Sequence, residues 1–155
     1  MHTECKMKRY IFLIALSVMC LWGCRSPKAI YNVIGVHSDA NSITVRCNGY
    51  GKTNADALVD AGKYAVEQLL FRGIPNSNQS NPLIGTDEAT AMSLHEAYLT
   101  ELFGRERYLS FLTLTTPVDG GKECGNFWTV ADITINLRAL RMDMEQAGVI
   151  RKFGL

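Results

Sequence analysis

The stretch Ile43-Thr44-Val45-Arg46-Cys47-Asn48-Gly49-Tyr50-Gly51-Lys52-Thr53-Asn54-Ala55-Asp56-Ala57-Leu58 decides the architecture, because its hydrophobic period changes once within it. Ile43, Val45 and Cys47 alternate with Thr44, Arg46 and Asn48, the period of a half-buried strand over residues 43–50. Gly49-Tyr50-Gly51-Lys52 breaks that pattern, and Thr53 or Asn54 supplies the side chain that caps a helix. Ala55, Leu58, Ala61, Ala65 and Leu69, with Val66 and Leu70 beside them, then form one apolar stripe at helical spacing over residues 54–70. The small residues Ala57, Ala61, Gly62 and Ala65 let this helix approach a sheet closely. Gly73 and Pro75 end it.

Outward from this core, residues 33–36 read as a strand joined to 43–50 through the turn Ser38-Asp39-Ala40-Asn41. Residues 74–85 form a polar loop. A second helix over about 88–103 presents Ala91, Leu94, Tyr98, Leu99 and Leu102, and Gly104 stops it. Residues 108–115 and 127–137 read as strands around the turn chemistry of Pro117-Val118-Asp119-Gly120-Gly121. A last helix over 137–147 turns Leu137, Leu140 and Met144 inward, with Gly148 as its C-cap. The order β-β-α-α-β-β-α predicts an α+β fold, a small antiparallel sheet with helices packed on one face.

With 155 residues, 47% hydrophobic and 20% charged, the chain has enough apolar surface for one domain with a real core. That excludes a disordered tail and a multidomain enzyme. The formal charge is +1. Lys6, Lys8 and Arg9 outweigh Glu4 in the first 23 residues, so the remainder carries −1. A near-neutral chain without a basic stripe lacks the electrostatic footprint of a nucleic-acid partner.

Lys6, Lys8 and Arg9 precede an apolar run over residues 10–22, too short for the roughly 20 residues that span a bilayer. The run ends in Leu21-Trp22-Gly23-Cys24, which resembles the bacterial lipobox, with Trp22 bulkier than that pattern prefers. Cleavage at Cys20 is disfavoured because Ser17-Val18-Met19 lacks the small residue before the cysteine. Residues 1–23 are therefore expected to be a lipoprotein signal peptide, Cys24 the lipidated first residue, 24–31 a tether and 32–155 the single domain. After Cys24, Arg25-Ser26-Pro27-Lys28 has neither the Asp that retains lipoproteins at the inner membrane nor the acidic cluster that exports them to the surface. By resemblance this implies an outer-membrane protein facing the periplasm.

Cys5 and Cys20 leave with the signal, so Cys47 and Cys124 remain in an oxidising compartment as a candidate disulfide pair. Their spacing alone does not show that they meet. A free Cys47 on the apolar face of its strand would behave as a small hydrophobe.

The sequence offers no catalytic, cofactor-binding or metal residues. Gly51-Lys52-Thr53 has the end of a phosphate loop, but Arg46 stands where the motif needs its first glycine, and the glycines suit a strand-to-helix turn instead. His37 and His95 lie in different elements without ligand spacing. Ser77, Ser80, Ser93 and Ser110 sit in no nucleophile elbow. Glu96 and Glu101 fall on different sides of a helix. Asp132, among apolar strand neighbours, is expected to have a raised pKa if it is buried. An enzyme is not expected.

The segment 43–51, followed by the Ala-rich helix 54–70 and Phe71-Arg72-Gly73-Ile74-Pro75, resembles the lipoprotein and flagellar-assembly domains typified by the FlgT N-terminal domain. The resemblance covers about residues 43–114. The whole chain, with Phe103-Gly104-Arg105-Glu106-Arg107-Tyr108 after its second helix, is similar to the TssQ-like lipoproteins of the Bacteroidota type VI secretion system. That similarity implies a non-catalytic structural part of an envelope-spanning membrane complex. Its implied partners are other secretion-complex envelope proteins and the outer membrane, with self-association into a homo-oligomer left open. The alternative is a periplasm-facing lipoprotein that binds and activates a peptidoglycan-synthesis enzyme or another outer-membrane assembly factor. Residues 76–81, 105–108 and 149–153 are the expected contact surfaces, with the opposing option that Ile150 and Phe153 pack back on the sheet.

Overall fold

The computed structural model describes residues 31–85 and 87–151. Strand β1 (Val33–Ser38) turns through Asp39 into β2 (Ser42–Gly51), and β2 runs into helix α1 (Asn54–Phe71). The Asp39 carboxylate accepts from the N–H groups of Asn41 and Ser42, both at 2.7 Å, which closes the turn. Thr53 is the cap of α1. Its hydroxyl accepts from the Asp56 N–H at 3.1 Å, and the Asp56 carboxylate accepts from the Thr53 N–H at 3.0 Å. This reciprocal box satisfies two donors that the first helical turn leaves unpaired.

β3 (Leu112–Glu123) and β4 (Asn126–Asn136) form the second hairpin, and β4 pairs with β2. The result is a four-stranded antiparallel sheet in the order β1-β2-β4-β3. Ile43, Val45 and Cys47 of β2 and Ala131, Ile133 and Ile135 of β4 bury one face beneath Ala57, Ala61, Ala65, Val66 and Leu69 of α1. This is the predicted α+β arrangement. A Cβ on Gly49 would stand 2.2 Å from the Ala57 carbonyl oxygen and 2.4 Å from the Ala61 nitrogen, so the helix backbone lies directly on the strand. Only glycine leaves room for that contact.

The expected second helix is broken. α2 (Glu88–Leu94) ends at His95, whose φ of −121° leaves helical geometry, and α3 (Glu96–Leu99) continues into a π-turn, Thr100–Gly104. The break changes which side chains face inward. Ala91, Leu99 and Leu102 are buried as expected, but Leu94 is 73% exposed. Tyr108 lies not in a strand but in a 3₁₀ turn, Arg107–Phe111, before β3. Pro117-Val118-Asp119-Gly120-Gly121 is not the hairpin turn either. It lies within β3, which continues past it to a reversal at Cys124-Gly125 with φ of 48° and 84°. β3 is an edge strand, so Pro117 needs no outward donor, and its pairing shifts between Leu112 and Leu114 and between Pro117 and Asp119 absorb the irregularity.

α4 (Leu137–Gln146) closes the core with Leu137, Leu140 and Met144. Asn136 caps it by accepting from the Ala139 N–H at 2.9 Å. Beyond it, Gly148 at φ 71° reverses the chain and the Val149 N–H donates to Met144 O at 2.9 Å. Val149 and Ile150 pack against the core rather than standing free as a tail, while Phe153 lies outside the described residues.

Gly49→Ala is expected to force α1 away from β2 and to destabilise the domain by about 3 kcal/mol, the upper range for overpacking a well-filled core. Chemical denaturation of wild type and variant checks it.

Candidate functional site

The face of the sheet opposite α1 carries Thr44, Arg46, Asn48 and Tyr50 from β2 beside Thr134, Asp132, Val130 and Trp128 from β4. At its centre Arg46 donates to both oxygens of Asp132, at 2.7 and 2.9 Å. Those hydrogen bonds hold the Asp132 carboxyl below the usual carboxylate range, and the side chain is only partly buried, so the burial on which a raised pKa depended is absent. Thr44 and Thr134 hydroxyls meet at 2.9 Å in a neighbouring register. Both pairs are closed between strands.

At one end of the sheet, the first described residue packs against α1. The Tyr31 ring stacks on Tyr64 of α1 with centroids 4.3 Å apart and meets Tyr50 edge-on at 5.5 Å. Its hydroxyl donates to Asp60 at 2.9 Å, and the same Asp60 oxygen accepts the Tyr50 N–H at 2.9 Å. Burial, then Asp60, raises the Tyr31 pKa. The Asn32 N–H donates to Asn48 Oδ1 at 2.7 Å, and Asn48 Nδ2 donates to the Tyr50 hydroxyl at 2.8 Å.

Tyr50 is directly opposite Trp128 across the β2–β4 ladder, and Trp128 is opposite Gly121 of β3. A Cβ on Gly121 would lie 3.0–3.2 Å from indole atoms of Trp128, so the indole rests on bare backbone. Lys122 places its ammonium 5.1 Å from the centroid of Phe127. Tyr50, Lys52, Asn126, Phe127 and Trp128 line an open groove of about 310 Å³. A neighbouring cavity of about 430 Å³, between Leu58 of α1 and Val118 of β3, also reaches Lys122 and Phe127. This aromatic end of the sheet, with Tyr50 and Trp128 on one face and Lys122 over Phe127 on the other, is the candidate site.

The residues put forward from sequence are not gathered there. His37 is exposed at the β1–β2 turn, 3.9 Å from Asp39, and His95 sits at the helix break. Glu101 pairs loosely with Arg105 at 3.7 Å. Asp143 of α4 accepts two bonds from Arg107, both at 2.9 Å, and one from the Tyr98 hydroxyl at 2.8 Å, while Arg107 lies 5.2 Å over the Tyr98 ring. Arg107 is thus a strut between the 3₁₀ turn and α4, and Tyr108 is buried, so neither of these two is available as the contact expected within 105–108. Gln79, in the polar loop, is buried as well and accepts from Arg141. Among the described residues no cluster of three or more His, Cys, Asp or Glu could hold a metal, and no helix is long and apolar enough to cross a membrane.

The Cys47–Cys124 pair is not formed. Cys47 is a free thiol buried under α1, donating to Ala61 O at 3.2 Å, and burial pushes its pKa up to about 12. Cys124 lies in the β3–β4 reversal and is not bonded to Cys47. Cys24 itself lies outside the described residues.

Compared with known families, curated proteins and solved structures, the chain matches none.

Two outcomes are expected from these contacts. Native Cys47 should resist alkylation by iodoacetamide at about pH 8 and react fully once the chain is unfolded, as read by mass spectrometry. Because Asp132 has a depressed folded pKa, its pair with Arg46 stabilises the protein above the unfolded carboxyl value of about 3.9, and the gain disappears as pH falls through the folded value. Asp132→Asn should therefore be less stable than wild type at about pH 7, with the gap in melting temperature closing at lower pH.

Proposed function

We propose that this chain is a lipid-anchored, non-catalytic structural component of an envelope-spanning secretion complex, held at the outer membrane and facing the periplasm. The observation that carries the reading is Leu21-Trp22-Gly23-Cys24 behind a basic, then apolar, leader. Acyl chains on Cys24 would each add about 0.8 kcal/mol per buried CH₂, and more than one chain makes a stable anchor. The similarity to the TssQ-like lipoproteins supplies the assignment to a type VI secretion membrane complex. The described polar clusters support a binding role: Arg46–Asp132 and Arg107–Asp143–Tyr98 are closed ties between elements, while the aromatic groove at the sheet end is open.

Cys24→Ser is expected to abolish incorporation of labelled palmitate and to leave an uncleaved precursor or a soluble form. Unchanged labelling and unchanged fractionation with the outer membrane would overturn the anchor. Affinity recovery of the wild-type lipoprotein from detergent-solubilised envelope should bring down secretion-complex membrane proteins. Recovery of peptidoglycan-synthesis enzymes in their place would overturn the secretion assignment.

A further inference from the structure

We infer that the cavity between the polar loop and α4 binds the free carboxyl terminus of a short peptide, with Arg141 and Arg151 taking the carboxylate. The inference depends neither on the lipid anchor nor on the secretion assignment.

The first argument is an unbalanced charge. Arg141 of α4 is half-buried, and its guanidinium donates to Gln79 Oε1, a neutral acceptor. Its Nε is buried without a hydrogen-bond partner. Among the described residues no carboxylate pairs with Arg141 or with Arg151. The other two half-buried arginines differ sharply. Arg46 and Arg107 each hold an aspartate through two hydrogen bonds. A partly desolvated charge costs free energy until it is paired, and the planar guanidinium fork is matched by a carboxylate.

The second argument is the cavity that both arginines line. It holds about 350 Å³, and among the described residues around it none is acidic. That volume is at the small end of ligand sites and suits two residues of peptide. Ser80 and Asn81 stand exposed on its rim, and among the described residues their side chains make no hydrogen bond, so a hydroxyl and an amide face a peptide N–H and C=O. Leu83 and Ile150, both half-buried, add an apolar wall for a small side chain. A phosphate is best held by a helix N-terminus or a glycine nest, whereas here the helix contributes its negative end, between Arg141 and Arg151. A monoanion is the better match.

The third argument is that the loop side of the cavity is already fixed. The Ser77 hydroxyl donates to Ile74 O at 2.7 Å and accepts from the Gln79 N–H at 3.0 Å. The Ile74 N–H donates to Gln79 O at 2.8 Å, and the Leu83 and Ile84 N–H groups donate to Leu69 O and Leu70 O of α1 at 3.3 and 3.0 Å. Gln79 itself is buried and donates to Asn81 O. A ligand therefore meets a rim that needs little ordering, which lowers the entropic cost of binding.

The test is titration calorimetry of the purified protein with N-acetyl-alanyl-alanine and with its C-terminal amide, at about pH 7 and low salt. A ligand of this size at ordinary efficiency should bind with a Kd of about 1 mM, and the amide at least about tenfold more weakly. Arg141→Gln should weaken the acid at least about tenfold, and Arg151→Gln, at an exposed position, about threefold with the melting temperature unchanged. If Arg141→Gln does not fold, Arg151→Gln and the comparison of acid with amide carry the test. Absence of binding at several times the expected Kd would overturn the site, as would equal affinity for acid and amide, the result expected if Arg141 serves only to tie the loop to α4. Unchanged affinity in both folded variants would overturn it too. Acetate or inorganic phosphate bound as tightly as the dipeptide would overturn the peptide assignment.

Discussion

The fold depends on one close contact, the backbone of α1 lying on β2 at Gly49. The strand end and the helix start are joined by only Lys52 and Thr53, so the helix has no freedom to stand off. It must run back over the strand that precedes it. Bare backbone at Gly49 and Gly51 below, and Ala57 and Ala61 above, make that return sterically possible. Everything else is arranged around the resulting layer. β4 pairs with β2 because its Ala131, Ile133 and Ile135 complete the apolar surface under α1, and α4 closes the remaining side with Leu140 and Met144. Burial of this surface, at about 25 cal/mol per Å², is the main favourable contribution, and the ion pairs tie its edges.

The parts of the fold legible in the sequence are those where local chemistry and tertiary packing agree. Alternation in 43–50, the Thr53 cap and the stripe from Ala61 to Leu70 all point to the structure observed, whereas at the start of the helix Ala57 is buried in place of the expected Ala55, which is exposed. The second hairpin is hard to read for a definite reason. Pro117, Asp119, Gly120 and Gly121 carry every local mark of a turn, yet an edge strand tolerates them because one side of its ladder is unpaired. The helix over 88–103 is equally deceptive, because spacing gives a period but not its continuity. The change of backbone at His95 rotates the next turns of the chain, and Leu94 is left facing outward.

The candidate site is less legible than the fold. Tyr50 and Trp128 each occupy the polar phase of a strand, where an aromatic side chain is a signal worth weighing. Nothing local shows that residues 78 positions apart are direct neighbours, or that Gly121 forms the floor beneath the indole. Residues that attract notice for their reactivity, such as His37, Glu101 and Asp132, are legible as residue types, but the fold sends them to separate surfaces and uses Asp132 as a tie between strands.

The irregular β3 strand has a consequence for crowding. Copies of a protein at high local concentration meet often, and exposed strand edges are the surfaces through which such copies would stack. Pro117 removes one donor from the outer row of β3, and the two shifts in its pairing prevent that row from being straight. β1, at the other edge, is short and carries a shift of its own between Gly35 and His37. Neither border of the sheet offers a long, even template, so copies of the domain are kept from zipping together strand to strand.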